Sequence, residues 1–163
     1  MMKRVWSGEG SVNGLPASGP ELVQPGGPEI LIGGFAPAAI GRAGRWADGY
    51  LGGGGDAEAA KSLCQIVEDA WKAAGRSERP RLVATCSFAL GADAAERGAA
   101  QARHYNQFLG AEMAESAARG VLNSPEQVRN VIQAISGVGA DEMLFLPQVH
   151  DIEQVDRLAD IVG

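Results

Sequence analysis

The sequence predicts an α/β fold of four strand–helix units in a row, with parallel strands in the order 1-2-3-4. Three observations carry this. Short apolar runs recur at Ile30–Ile32, Gly49-Tyr50-Leu51, Arg81–Leu90 and Glu142–Leu146. Each is followed by a segment whose apolar residues return at three- and four-residue steps, the period of a helix. The 23 glycines fall at junctions between these segments and not in low-complexity tracts. Strands that alternate with helices of this length make parallel βαβ units with right-handed crossovers. Four such units are half of an eight-stranded barrel.

Along the chain, residues 1–28 show little periodicity. Within them, Trp6-Ser7-Gly8-Glu9-Gly10 and Val12-Asn13-Gly14 suggest an irregular hairpin with an Asn-Gly turn. Residues 29–163 hold the four units. The first strand, Ile30–Ile32, runs through Gly33-Gly34 into a helix over Ala36–Asp48 that Pro37 opens. The second strand ends in Gly52-Gly53-Gly54-Gly55 and leads to a helix over Asp56–Ala74, with Asp56 as N-cap and Gly75 as stop. Ala60, Leu63, Val67, Ala70, Trp71 and Ala74 form its apolar stripe. The third strand, Arg81–Leu90, leads to an Ala-rich helix started by Asp93 and Glu96 and broken near Gly110. Ser124-Pro125-Glu126-Gln127 is a capping box opening a helix that buries Val128, Val131, Ile132 and Ile135. The last strand is Glu142–Leu146. Asp151 caps the closing helix to Val162, with Gln154 completing its capping box.

Composition narrows the function classes. At 163 residues the length fits one domain with a sizeable core, and 45% hydrophobic with 21% charged residues is ordinary for a globular protein. A net charge of −6 argues against a nucleic-acid or anionic-membrane surface, both of which need clustered Lys and Arg. Met1-Met2-Lys3-Arg4 leads into polar, glycine-rich sequence, and no apolar run approaches the length of a membrane span, so a cytoplasmic protein is expected. Cys64 and Cys86 lack metal-ligand spacing and read as two reduced core thiols.

The chemistry-bearing motif is the first strand, glycine pair and helix. Backbone N–H groups at a helix start, uncrowded by side chains, make an anion pocket that the helix dipole favours. A tight strand-to-helix turn with no ligand is the competing reading. Residues further along the chain extend the motif. Pro28 to Gly34, Arg42 to Tyr50, Val121 to Val128, Gly139 to Pro147 and Val155 to Ala159, in this order and spacing, resemble the bacterial-luciferase-like monooxygenases. That family binds flavin mononucleotide (FMN) or the related deazaflavin coenzyme. The resemblance runs from about Arg4 to the C-terminus. It implies the second half of a TIM-type (β/α)8 barrel, with the first four strands and helices absent from this chain. It also implies an oxidoreductase whose coenzyme phosphate sits at Gly33, Gly34, Phe35 and Ala36.

Ligand sites in such barrels lie at the C-terminal ends of the strands. The candidates are therefore Gly33-Gly34-Phe35, Gly52-Gly53-Gly54, Thr85 to Phe88, and Pro147-Gln148-Val149-His150. Gly52 and Gly53 either approach the same phosphate or belong to a mobile loop. Tyr50, Phe88, Gln148 and His150 are the candidates for a small-molecule substrate pocket, with barrel packing the alternative for Tyr50 and Phe88. Arg42 and Arg45 are either phosphate clamps or solvated helix residues. Trp46 and Trp71 fall on apolar helix faces and read as core, and His104 reads as surface. No paired carboxylates, nucleophile–base set or metal cluster emerges, so the chemistry would be the cofactor's. Two exposed parallel edges, Ile30–Ile32 and Met143–Leu146, invite a partner. The expectation is a homodimer across those edges or a separate first-half chain. A catalytically silent half-barrel or assembly module is the alternative function.

Overall fold

The computed structural model describes residues 2–6, 14, 22–53 and 57–163. Contacts divide the chain into two compact units, Met1–Ile30 and Leu31–Gly163. In the first, helix α1 spans Met2–Trp6, and the Gly27 N–H closes a turn on the Gln24 carbonyl at 3.0 Å. The expected hairpin lies outside the described residues, apart from Gly14.

The second unit is built on a parallel sheet of four strands in the order β1-β2-β3-β4. They are β1 Leu31–Gly33, β2 Gly49–Gly53, β3 Arg81–Phe88 and β4 Glu142–Pro147. Helices α2 Pro37–Trp46 and α3 Ala57–Ala73 come after β1 and β2. Three helices lie between β3 and β4: α4 Ala94–Tyr105, α5 Ala111–Arg119 and α6 Pro125–Gly137. A short 3₁₀ turn, Gln107–Leu109, joins α4 to α5, and Glu153–Val162 is α7. The register pairs Ile32 with Tyr50 and Leu82 in one row, and Gly53 with Thr85 and Leu144 in another.

Alternation along each strand gives the sheet two faces. Ile32, Tyr50 and Leu82 pack against Ile40, Ala43, Val67 and Trp71 of α2 and α3. Phe88 and Phe145 pack with Val128, Leu158 and Ile161 of α6 and α7, their rings edge to face at 6.1 Å. This is the helix face. The opposite face carries Gly33, Gly53, Thr85, Ser87, Leu144 and Leu146. The α4–α5 hairpin packs chiefly on itself and is anchored by small residues, with Ala89, Ala94, Ala102, Val121 and Val149 in one cluster.

Several local expectations change. Trp46 is 62% exposed and not core. The buried stripe of α2 is Ala39, Ile40, Ala43 and Gly44, and Trp46 stands at its edge in the last turn, with the Arg45 guanidinium 5.0 Å from its ring. Trp71 is buried, and Arg76 stacks on it at 3.6 Å while donating to the Ala47 carbonyl at the end of α2. Asp93 stands at the N-cap of α4, Ala94–Tyr105, with a left-handed φ of 58°, but its carboxylate makes no capping hydrogen bond. Val128 and Ile135 are buried on α6, but Val131 and Ile132 only half so. The capping box of α6 forms, with the Gln127 N–H donating to Ser124 Oγ at 3.2 Å. Its return bond lands one residue early, from the Asn123 N–H to Gln127 Oε1.

Gln154 does not cap α7. Its side chain turns inward and is 1% exposed. Oε1 accepts from the Leu90 N–H at 2.8 Å and Nε2 donates to the Leu90 carbonyl at 2.7 Å. The segment after β3 needs partners for its buried backbone groups, and Gln154 supplies both. Asp151 alone serves the helix start, accepting from the Glu153 N–H at 3.0 Å.

Candidate functional site

The C-terminal ends of the four strands gather most of the expected site residues at one edge of the sheet. Gly33 ends β1, and Gly34 comes next with φ +123°, a conformation that L side chains rarely adopt. A Cβ at Gly34 would also stand 3.0 Å from Ala39 Cβ. The turn therefore requires glycine, and it delivers Ala36 in an extended conformation at the start of α2. The Ala36 carbonyl accepts from the Ala39 and Ile40 N–H groups at 2.8 and 3.1 Å, and Pro37 brings no N–H of its own. No side chain caps this helix start, so its polarity is carried by backbone alone.

Gly53 ends β2 opposite Thr85. A Cβ built on Gly53 would meet nothing nearer than Phe35 Cζ at 3.5 Å and Thr85 Oγ1 at 3.9 Å. Phe35, 69% exposed, thus reaches over the end of β2. Thr85 Oγ1 donates to the Gly52 carbonyl at 3.3 Å. Gly52 lies on the helix face, where a Cβ would stand 2.6 Å from Tyr50 Cε1 and 3.0 Å from Leu63 Cδ2. Its smallness serves packing. Gly54 and Gly55 lie outside the described residues.

Gln148 comes directly after β4. Its backbone N–H donates to the Phe88 carbonyl at 2.8 Å, and its side-chain Nε2 donates to Ser87 Oγ at 3.2 Å. Val121–Leu122 runs beside the other edge of β3's end, with the Leu122 N–H on the Ser87 carbonyl at 2.9 Å and the Ala89 N–H on the Leu122 carbonyl at 2.8 Å. The end of β3 is thereby held on both sides, and Ser87 stays on the opposite face beside Leu146.

Tyr50 and Phe88 pack on the helix face, the alternative the sequence leaves open beside a pocket role. Both are almost fully buried there. The Tyr50 hydroxyl donates to the Gly34 carbonyl at 2.9 Å, tying the turn after β1 to β2. Burial, with Cys64 contributing less, pushes Tyr50 above its ordinary value and keeps the hydroxyl a donor. His150 is exposed beyond the strand ends, as are Arg42 and Arg45 on α2 and His104 on α4. Cys64 and Cys86 are free thiols, each raised above the ordinary value, chiefly by burial, so neither is an activated nucleophile. Among the described residues, no group of His, Cys, Asp and Glu is placed to hold a metal ion, and no helix is long and apolar enough to cross a membrane.

The sequence puts Thr85 and Ser87 within the strand-end candidates but does not separate them from Cys86 and Phe88. Alternation is the available signal: Cys86 and Phe88 are apolar and buried, whereas Thr85 and Ser87 are polar and point the other way.

The glycine turn at one strand end and the hydroxyl and amide groups at the others sit on a parallel sheet whose fold has relatives. The luciferase-like monooxygenase family model matches residues 1–148. The chain belongs to this family. No curated protein sequence matches it. Among solved structures, an F420-dependent secondary alcohol dehydrogenase in complex with an F420–acetone adduct superposes with a TM-score of 0.70 at 11% identity, over 99% of this chain and 58% of that one. A coenzyme F420-dependent tetrahydromethanopterin reductase from Methanopyrus kandleri gives 0.68 at 16%, over 97% and 58%. A long-chain alkane monooxygenase gives 0.64 at 18%, over 91% and 44%. At these identities the likeness carries the fold. This luciferase-like chain spans less than three-fifths of each of those chains, and its parallel four-strand sheet with alternating helices matches half of a TIM-type barrel.

Proposed function

We propose that this luciferase-like chain is a flavin- or deazaflavin-dependent oxidoreductase of a small molecule, with the coenzyme across the C-terminal ends of β1–β4. The observation that carries the reading is the convergence of the Gly33–Ala36 turn, the uncrowded Gly53 and the Thr85, Ser87 and Gln148 polar groups at one edge of the sheet. These residues fit the coenzyme. The turn offers backbone N–H groups and a helix dipole to the phosphate, and Gly53 leaves space for a flat ring that a side chain would fill. Phe35 covers that space from the β1 side. When bound, the coenzyme supplies the redox chemistry, oxygen activation for FMN or hydride transfer for the deazaflavin. The protein's part is to orient the ring and to shield it from water.

The barrel needs completing. Leu144 and Leu146 on β4 are 38% and 45% exposed, and burying what remains exposed gains each about 1 kcal/mol. Four parallel strands supply half of an eight-stranded barrel. We propose that a second copy, with β1 of one chain beside β4 of the other, closes it, and that a separate first-half chain is the alternative partner.

A second reading is an assembly module without turnover. It is favoured by one observation: at the described strand positions of the opposite face the titratable groups are Arg81 and Glu142, which bond to each other at the N-terminal ends of β3 and β4, away from the site. Titration of the purified protein with FMN and with coenzyme F420, monitored by coenzyme fluorescence, separates the two. Saturable binding of either supports the oxidoreductase; binding of neither leaves the assembly module.

A further inference from the structure

Gln148 Nε2 is committed twice, to Ser87 Oγ at 3.2 Å and towards the Leu146 carbonyl at 3.5 Å. The second contact fixes which way the amide faces, because a flipped amide would set its oxygen against that carbonyl. Gln148 Oε1 then has no partner among the described residues. Ser87 Oγ receives the amide hydrogen, which directs its own O–H elsewhere, and that donor has no partner among them either. One free acceptor and one free donor therefore stand side by side at the coenzyme edge of the sheet. The pair is held firmly: the Gln148 backbone is pinned to Phe88 at 2.8 Å, and the Ser87 carbonyl to Leu122 at 2.9 Å. Helix α4 presents Gly98 here, where a Cβ would be 3.6 Å from Gln148 Cβ and 2.5 Å from Ala89 Cβ, so small residues set how closely α4 approaches the pair.

We propose that Ser87 and Gln148 read a cis-amide edge, a carbonyl beside an N–H, and that the edge belongs to the pyrimidine ring of the coenzyme. The Ser87 hydroxyl donates to the ring carbonyl and Gln148 Oε1 accepts from the ring N3–H. Flavins and 5-deazaflavins share this edge, so the pair serves either coenzyme. The assignment rests on the oxidoreductase reading and adds to it the direction of the ring, with the pyrimidine end towards β3–β4 and the phosphate towards β1.

The test uses the full-length protein and two ligands, FMN and N3-methyl-FMN, titrated by fluorescence. N3 methylation removes the donor without touching the protein. The expected result is about tenfold weaker binding of the methylated ligand by wild type, the size of one lost hydrogen bond to an otherwise unpaired group. Gln148→Leu should weaken FMN binding by a similar factor and bind both ligands equally. Ser87→Ala should weaken both ligands alike and preserve their ratio. Equal binding of the two ligands by wild type overturns the assignment and leaves the oxidoreductase reading standing. Absence of binding by wild type to FMN and to coenzyme F420 overturns both.

Discussion

Replacing Gln154 with leucine removes two buried hydrogen bonds at once and isolates the cost of holding the chain after β3. The side chain is 1% exposed and bonds both backbone groups of Leu90, at 2.8 and 2.7 Å. The two groups do not suffer equally. The Leu90 carbonyl keeps Arg157 Nη1 at 2.7 Å, whereas the Leu90 N–H is left buried without an acceptor. An unsatisfied buried donor costs about 1–3 kcal/mol, and the lost carbonyl bond adds about 1 kcal/mol. The expected destabilisation is therefore about 2–4 kcal/mol, a fall in melting temperature of roughly 5–15 °C for a chain of this size. Urea unfolding monitored by circular dichroism measures it. Gln154→Glu should be no better, because a carboxylate accepts from the N–H but faces the carbonyl with a lone pair. A Gln154→Leu protein within about 0.5 kcal/mol of wild type, the range of ordinary surface substitutions, would refute the reasoning.

The same geometry sets other expectations. Gly53→Leu should fold and melt like wild type yet lose FMN binding in a fluorescence titration, since its side chain fills the space in front of Thr85 and Phe35 without a forbidden backbone angle. Burial alone would raise the Asp141 carboxyl, but the Leu82 N–H at 2.8 Å and the Arg79 guanidinium outweigh it and hold the group below its ordinary value. A depressed carboxylate stabilises the fold fully above its unfolded value near 4 and loses that contribution as pH falls through the lower folded value. Asp141→Asn should accordingly flatten the acid side of a stability–pH curve measured by thermal melts. Leu144→Lys with Leu146→Lys should weaken self-association by at least about tenfold in light scattering, since each side chain has a little under half of its burial energy left to gain.

Much of the fold is legible in the sequence because each unit carries its own signals. The Pro37 helix start, the Ser124 capping box and the glycines at strand ends are local, and local chemistry survives into the structure. The departures have different causes. Trp46 stands at the edge of its own helix stripe, whereas a neighbour far along the chain turns Gln154 inward and away from a cap. Leu90, 64 residues away, decides where Gln154 points. Tyr50 and Phe88 look like pocket residues by type, and only strand parity combined with helix placement puts them inward. The Ser87–Gln148 contact spans 61 residues and crosses from β3 to β4, so neither local sequence predicts it. The glycine turn at the first strand is readable for the opposite reason: its geometry is self-contained.

The α4–α5 hairpin touches the rest of the molecule through a small-residue base, while Tyr105, Phe108, Leu109 and Met113 stand exposed along its far portion. Ala89 and Gly98 set how closely the hairpin sits, since a Cβ at Gly98 would stand 2.5 Å from Ala89 Cβ, so enlarging either residue pushes the whole hairpin outward while changes at its exposed tip leave that contact untouched.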